Sequence, residues 1–267
     1  MQSRRTCVSS KLRKTRIVMR DRKLASHVPA TRLFSRSQLA VMLKRYGMVY
    51  VKPDTGSLGI GVMRVEKTAG AYRYQAGTRI CVLRTFAELY DSIRRQAGSR
   101  TYLVQKGIHV LRHMGRPFDF RIMIQKGPSG NWKPTGAAGR VAHPRKAVTN
   151  GSQGGSIYPV DALIVPLASK KASSRLLKEM YRMAKLTADR FNQTYPAMNE
   201  LGLDIAVDRR LKPWLLEVNT RPDPCPFTKL PDKTMINTIV AYGKAYGRRY
   251  CLTCSKSRKG ASPKRLI

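Results

Sequence analysis

The stretch LGLDIAVDRRLKPWLLEVN, residues 201–219, holds two apolar strand-like runs separated by the polar loop RRLK, so an antiparallel hairpin is its natural geometry. With Asp208 opposite Pro213, Asp204 falls opposite Glu217. Side chains alternate along a strand, which puts Asn219 on the face of Glu217 and leaves Leu216 and Val218 on the other. Two acids and an amide on one face are oxygen donors, the ligand type that a hard cation such as Mg²⁺ takes. Opposed carboxylates repel, and a divalent cation is one reason to keep them together. The arrangement depends on register, since a slip of one residue turns Asp204 to the other face. Taken alone, the stretch also reads as a strand with one polar face.

A Mg²⁺ site built on two carboxylates is commonly completed by phosphate oxygens, and the segment VYVKPDTGSLGIGV, residues 49–62, supplies a candidate cradle. Gly56, Gly59 and Gly61 let backbone amides approach an anion, Ser57 adds a hydroxyl, and Lys52 ends the preceding strand as a point charge. It is not a Walker loop, because no Gly-Lys-Ser/Thr leads into a helix, and by itself it also reads as a structural turn between strands.

Around these two stretches the pattern is mixed. A helix is expected over residues 37–46, stopped by Gly47, followed by strands MVYVK and GVMRVEK, then AYRYQ and RICVL around Gly77. Thr85 and Glu88 form a capping box for a helix ending at Gly98, after which TYLVQKGI reads as a strand running into a turn. FDFRIMIQ and WKPTGAAGRVA, joined by GPSGN, predict an antiparallel pair. The loop HPRKAVTNGSQGGSIYP is long and polar, and residues 173–193 form a core-packing helix with Leu177, Met180, Ala184 and Phe191 on one stripe.

The 267 residues are enough for a substantial core, and a hydrophobic fraction of 42% agrees with a globular chain. The charge is extreme: 52 Lys+Arg against 15 Asp+Glu gives +37, a surface that attracts polyanions through long-range fields that salt screens. Seven basic residues and no acid precede Asp21, and no acid follows Asp232, so residues 1–20 and 248–267 read as solvated basic arms. The first twenty residues lack the apolar core of a secretory signal, and no run approaches the roughly 18 apolar residues of a membrane span. A soluble protein made in the cytosol is expected. Five scattered cysteines, Cys7, Cys81, Cys225, Cys251 and Cys254, with a single CxxC, read as free thiols rather than as a zinc site. The four histidines show no metal spacing.

The order VKPDTGSLGIGV, VQKGI, FDFRIMI, Arg140 with Thr149-Asn150 and Gly154-Gly155, and LDIAVD with LLEVNTRP resembles the ATP-grasp superfamily across roughly residues 20–247. The spacing is most similar to the endospore coat-associated YheC/YheD-like group, with VPATRLFS (residues 28–35) as an opening motif. The resemblance implies an α+β ATP-grasp fold, with a first subdomain at about 28–105 and a second at 106–247 gripping nucleotide between antiparallel sheets. It implies that Lys52 contacts the α- and β-phosphates under a lid of Gly56 to Gly61, and that the backbone of Gln105, Lys106, Gly107 and Ile108 meets adenine. It places Mg²⁺, or Mn²⁺ in its stead, on Asp204, Glu217 and Asn219. Arg121, Arg140 and Arg221 resemble the basic residues that meet the transferred phosphate and the acceptor carboxylate, and Asn150 falls in a substrate loop.

The chain also departs from that pattern. Gln105 stands where many members carry an acid, and no acid follows for the ribose hydroxyls. Lys23 is the nearest candidate for an upstream phosphate lysine, with Lys14 and Arg22 close by. The separate N-terminal domain that often completes the acceptor site is expected to be missing or shortened. The activity implied is ATP-dependent ligation of an unknown carboxylate to an unknown amine through an acylphosphate. The alternative is a non-catalytic coat scaffold that holds an anionic polymer or coat partner, which allows a spore-coat location. Nucleic-acid binding rests on charge alone, since no recognition module is present and aromatic residues make up only 7%.

Overall fold

The computed structural model describes residues 7–144, 154–254 and 258–260. Asn150 and the middle of the long polar loop lie outside the described residues. Two short helices, α1 (Lys11–Val18) and α2 (Arg22–Ala25), precede strand β1 (Thr31–Leu33) and helix α3 (Arg36–Tyr46). Ser35 caps α3 by accepting from the Gln38 amide, and Gly47, at φ 70°, ends it in a conformation that a β-carbon disfavours. Strands β2 (Met48–Pro53), β3 (Met63–Thr68), β4 (Ala71–Ala76) and β5 (Arg79–Leu83) follow, then helix α4 (Phe86–Ala97), entered through the Thr85/Glu88 capping box, and β6 (Tyr102–Lys106). These strands form one antiparallel sheet in the order β1-β6-β2-β3-β4-β5. Its inward residues, among them Val49, Val51, Val65 and Val104, pack with Leu39, Leu43, Leu89 and Ile93 of the two helices into one core.

The second half contains β7 (Arg112–His113), β8 (Arg116–Lys126), β9 (Trp132–Val141), β10 (Ser156–Tyr158), α5 (Val160–Ile164), α6 (Lys170–Thr194), β11 (Glu200–Val207), β12 (Pro213–Asn219), α7 (Cys225–Thr228), α8 (Thr234–Ala245) and β13 (Arg258–Lys259). Its sheet runs β12-β11-β8-β9-β10-β13, antiparallel except at β10–β13, with β7 paired to β8. Alternation divides the sheet. Phe120, Ile122, Leu203 and Ile205 enter a core with Met180, Met183, Ala184 and Phe191 of α6, while Met123 and Ala138 face Phe227 and Ile239 of α7 and α8. Each fully buried aliphatic or aromatic side chain in these cores contributes about 1.5–3 kcal/mol.

Three expectations change. Residues 11–18 are not part of a solvated arm: α1 buries Ile17 and Val18 in the core of the second sheet, and its buried Lys11 and Lys14 point toward Glu217. The C-terminal segment is likewise held where it is described, through Cys254 and the short β13. The long helix uses Leu176, Met180, Met183 and Phe191 as its buried stripe, with Leu177 only partly covered. The first difference has a physical cause: long basic side chains bury their stems while pairing their heads, as Lys11 and Lys14 do with Glu217, so a basic run need not be a solvated one.

Gly107, just after β6, holds the connecting segment tightly against the start of β2. A β-carbon there would lie 2.9 Å from the Met48 carbonyl oxygen and 2.5 Å from its side chain, and the Gly107 amide donates to that carbonyl at 2.9 Å. Gly107→Ala is expected to destabilise the protein by about 1–3 kcal/mol, read as a lower urea midpoint at unchanged slope.

Candidate functional site

The β11–β12 hairpin carries the acids. Its closing pair is Val207 with Pro213, which leaves a loop one residue longer than the expected Asp208 with Pro213, yet Asp204 still faces Glu217 and Gly202 faces Asn219. A bulge reconciles the two: Leu216 is the extra residue between the Leu215 and Glu217 pairings. One expectation falls with it, because Leu216 lines the cleft beside Glu217 instead of joining Val218 in the core. Its carbonyl, turned inward, accepts from Lys52 Nζ at 3.3 Å and from Gln105 Nε2 at 3.5 Å.

Registers across β8 and β9 place Arg121 opposite Asp204 and Arg140 opposite Asp119. Arg140 grips Asp119 with two 2.7 Å hydrogen bonds and reaches Asp204 at 3.2 Å, while Arg121 Nε donates to Asp204 at 2.7 Å. Burial acts to raise the Asp204 pKa, but the two guanidiniums outweigh it and hold the group down to about 2. Its stabilising contribution is therefore complete above the unfolded carboxylate range and is lost only as the pH falls through about 2. Arg140 is shifted the other way: burial disfavours its charge, and Asp119 and Asp204 more than restore it. Glu217 faces a different set, Lys14 Nζ at 3.4 Å and Lys11 Nζ at 3.8 Å.

Across the cleft, Lys52 at the end of β2 is only 8% exposed and donates to Gln105 Oε1 at 2.8 Å. Gln105 in turn donates to Thr31 Oγ1 at 3.0 Å. Burial, reinforced by Lys11 and Lys14 and opposed by Glu217, brings the Lys52 pKa down to about 8. An amide at position 105 satisfies the ammonium without cancelling its charge, which gives the departure from an acid a physical reason. Lys106 lies 4.8 Å above the Trp214 ring and 5.3 Å from that of Tyr46. The glycine-rich loop is pinned from the N-terminal side: Lys11 Nζ donates to the Gly56 carbonyl at 2.8 Å, and the amides of Lys11 and Leu12 bond to Asp54.

The two halves enclose a cleft of about 570 Å³. It brings together Lys52, Gly56, Ser57, Gly59, Gln105, Lys106 and Ile108 on one side. Arg121, Arg140, Asp204, Glu217, Asn219 and Arg221 stand on the other. Gly61 and Gly107 lie behind the wall; a β-carbon on Gly61 would come within 2.7 Å of the Tyr102 hydroxyl. Lys23 is not brought in: it is exposed on α2, and Lys11 takes the cleft position instead. No motif marks Lys11. Asp119 was missed, although strand alternation offered the signal: it stands two residues from Arg121 on one strand face. The donors Asp204, Glu217 and Asn219 share the cleft, and two carboxylates beside an amide suit a hard cation that draws its other ligands from phosphate or water. Among the described residues no cluster of three or more His, Cys, Asp or Glu marks a metal site complete in itself.

The cysteines differ from expectation. Cys225 and Cys254 form a disulfide, Cys251 of the CxxC is free and exposed, and all three lie on the cleft rim. Free thiols were expected at all five positions, but the fold brings Cys254 against Cys225 at the start of α7.

The profile of the YheC/D-like ATP-grasp family matches residues 4–248, most of the chain. The chain belongs to the YheC/D-like ATP-grasp family. Two curated relatives from Bacillus subtilis (strain 168) are each 24% identical to it: endospore coat-associated protein YheD over 214 residues and endospore coat-associated protein YheC over 201. The alignments cover 77% and 73% of this chain but 46% and 55% of those proteins, so the chain spans about half the length of the curated relatives it matches. Solved structures confirm the α+β ATP-grasp fold. N5-carboxyaminoimidazole synthase from Aspergillus clavatus, in complex with ADP and 5-aminoimidazole ribonucleotide, aligns at TM-score 0.54 and 9% identity, over 94% of this chain and 55% of the enzyme. A biotin carboxylase–beta-gamma-ATP complex from Campylobacter jejuni aligns at TM-score 0.54 and 17% identity, over 91% of this chain and 47% of the enzyme. Among the described residues of this YheC/D-like ATP-grasp chain, no helix is long and apolar enough to cross a membrane.

Proposed function

We propose that the cleft binds Mg-ATP and joins a carboxylate to an amine. The observation that carries this reading is the cross-strand Asp204–Glu217 pair facing, over one cleft, a buried lysine whose charge Gln105 leaves uncancelled. The solved relatives, one in complex with ADP and one with beta-gamma-ATP, support it. The first half, about residues 28–105, supplies Lys52 and the Gly56–Gly61 loop for the phosphates, while Lys106 and Ile108 of the connecting segment border the base. The second half, 106–247, supplies the acids and arginines.

Asp204, Glu217 and Asn219 would hold Mg²⁺, which supplies charge neutralisation on the phosphate chain. Arg121 and Arg140 stand where charge develops on the transferring phosphoryl group, and Arg221, exposed at the rim, can orient the acceptor carboxylate. A carboxylate oxygen attacks the γ-phosphorus and ADP leaves. The amine then attacks the acyl carbon, phosphate leaves, and the amine nitrogen gives up a proton. Positioning and charge stabilisation suffice, so no nucleophilic side chain is required.

A second reading has its own support in the relatives' coat-associated names and the +37 charge: a scaffold that keeps the fold and holds an anionic polymer or coat partner. One experiment separates the two. Incubating the protein with MgATP, pools of carboxylic acids and hydroxylamine should release ADP and form hydroxamate in at least one pool, and neither in Asp204→Asn. Absence of both products across chemically diverse pools favours the scaffold.

A further inference from the structure

Helix α6 exposes Lys171, Arg175, Lys178, Arg182 and Lys185. Their spacing of four, three, four and three residues puts all five on one stripe, about 21 Å long at 1.5 Å per residue. The N-terminal helices lie against the same helix: α1 and α2 both pack on α6, Arg190 pairs with Asp21 at 3.0 Å, and the Arg13 guanidinium sits 5.8 Å from the Tyr195 ring. They add Arg13, Arg16, Arg20, Arg22 and Lys23, all exposed. The acids of this layer are mostly engaged: Glu179 with Arg182 and His27, and Asp21 with Arg190 and the cap of α2.

Like charges at three- and four-residue spacing destabilise a helix. Here five cations follow one another along one stripe with only Arg182 locally compensated, by Glu179, and the exposed cations of α1 and α2 stand on helices packed against the same helix. The stripe contributes nothing to the core, because the opposite face of α6 does the packing. It is also on the far side of the second sheet from the cleft, since Phe120 and Ile122 face α6 while Asp119 and Arg121 face the cleft. A partner carrying regularly spaced negative charge would relieve the repulsion.

We infer that the α1–α2–α6 layer is a docking surface for the phosphate backbone of a nucleic-acid duplex, bound without sequence preference. Six of its ten cations are arginine, the side chain whose planar fork matches phosphate oxygens. The stripe's length of about 21 Å spans several phosphates along one strand of a duplex. The surface offers no exposed aromatic side chain for base stacking, which disfavours single strands. Met19 is the only large exposed hydrophobic on these three helices, too little for insertion into a bilayer.

The test uses the full chain and a mixed-sequence 20-base-pair duplex, with binding followed by fluorescence anisotropy over a salt series. Arg175→Gln/Lys178→Gln/Lys185→Gln removes three stripe charges; Lys44→Gln/Lys67→Gln/Arg95→Gln removes three exposed charges from the first half. The stripe variant should lose at least about tenfold in affinity, and its slope of log affinity against log salt should fall by about 2.7. The control triple should keep the wild-type slope and melting temperature, and the stripe triple should melt at or slightly above wild type because its like-charge repulsion is relieved. Equal losses in both triples would overturn the proposal, because binding would then be diffuse. It would equally fail if the stripe variant lost binding to phosphatidylserine vesicles while holding the duplex as the wild type does. Single Lys178→Gln, expected to cut the slope by about 0.9, gives an independent reading if the triple is unstable.

Discussion

Glu217→Ala is expected to lower ATP turnover by about 10²–10³-fold, the scale seen when one preorganised electrostatic contact to a transition state is removed. Glu217 stands opposite Asp204 on the bulged hairpin and is the anionic partner of both Lys11 and Lys14. Its removal takes away one donor for Mg²⁺ and leaves two buried cations facing the triphosphate position with no acid between them. Lys11 is already held below the ordinary lysine pKa by burial, with Glu217 acting against that shift. The loss should therefore show as a weakened Mg²⁺ dependence as well as a reduced rate, with Glu217→Gln close to Glu217→Ala in activity. Steady-state ADP release over a Mg²⁺ titration measures both. Turnover within about twofold of wild type would remove Glu217 from the metal set.

Lys52 gives the other large effect. Lys52→Ala is expected to weaken ATP binding about 10- to 100-fold, the range for losing a charge-assisted hydrogen bond in a buried site. The pH dependence is more specific. The folded pKa of about 8 lies below the unfolded lysine value, so between about 8 and 10.5 the unfolded chain binds more protons. Stability of the ligand-free protein should consequently gain from this group as the pH rises through that window. ATP affinity should move the opposite way, falling as the ammonium loses its proton above about pH 8, while Lys52→Arg, which cannot deprotonate, should lack the decline. Thermal melts and ATP titrations from pH 7 to 10 on the two proteins read both slopes. A wild-type affinity that stays flat through pH 9 would separate Lys52 from the phosphates.

Much of this site was legible because strand alternation and loop length are local rules. The Asp204–Glu217 pairing and the β8–β9 pair came out of the run and loop lengths, and the capping box of α4 out of Thr85 and Glu88 three residues apart. The bulge was not, since no residue type marks Leu216 as the extra one; two compensating irregularities brought the register back to the expected partners. Lys11 was hidden for another reason. Its place depends on α1 crossing from the glycine-rich loop to the second sheet, a long-range packing event that a basic, acid-free run does not announce. The Cys225–Cys254 bond, at a sequence separation of 29, likewise depends on where the chain returns after α8.

Calorimetric titration of MgATP at elevated salt tests most directly whether the cleft is an ATP site. Elevated salt suppresses the loose nucleotide binding that a +37 protein shows on charge alone. Wild type, Lys52→Ala and Lys44→Ala, the last removing an exposed cation of α3, should separate cleanly. Saturable binding with one site per chain in wild type and Lys44→Ala, weakened strongly in Lys52→Ala, is the predicted result; equal weak binding in all three would contradict it.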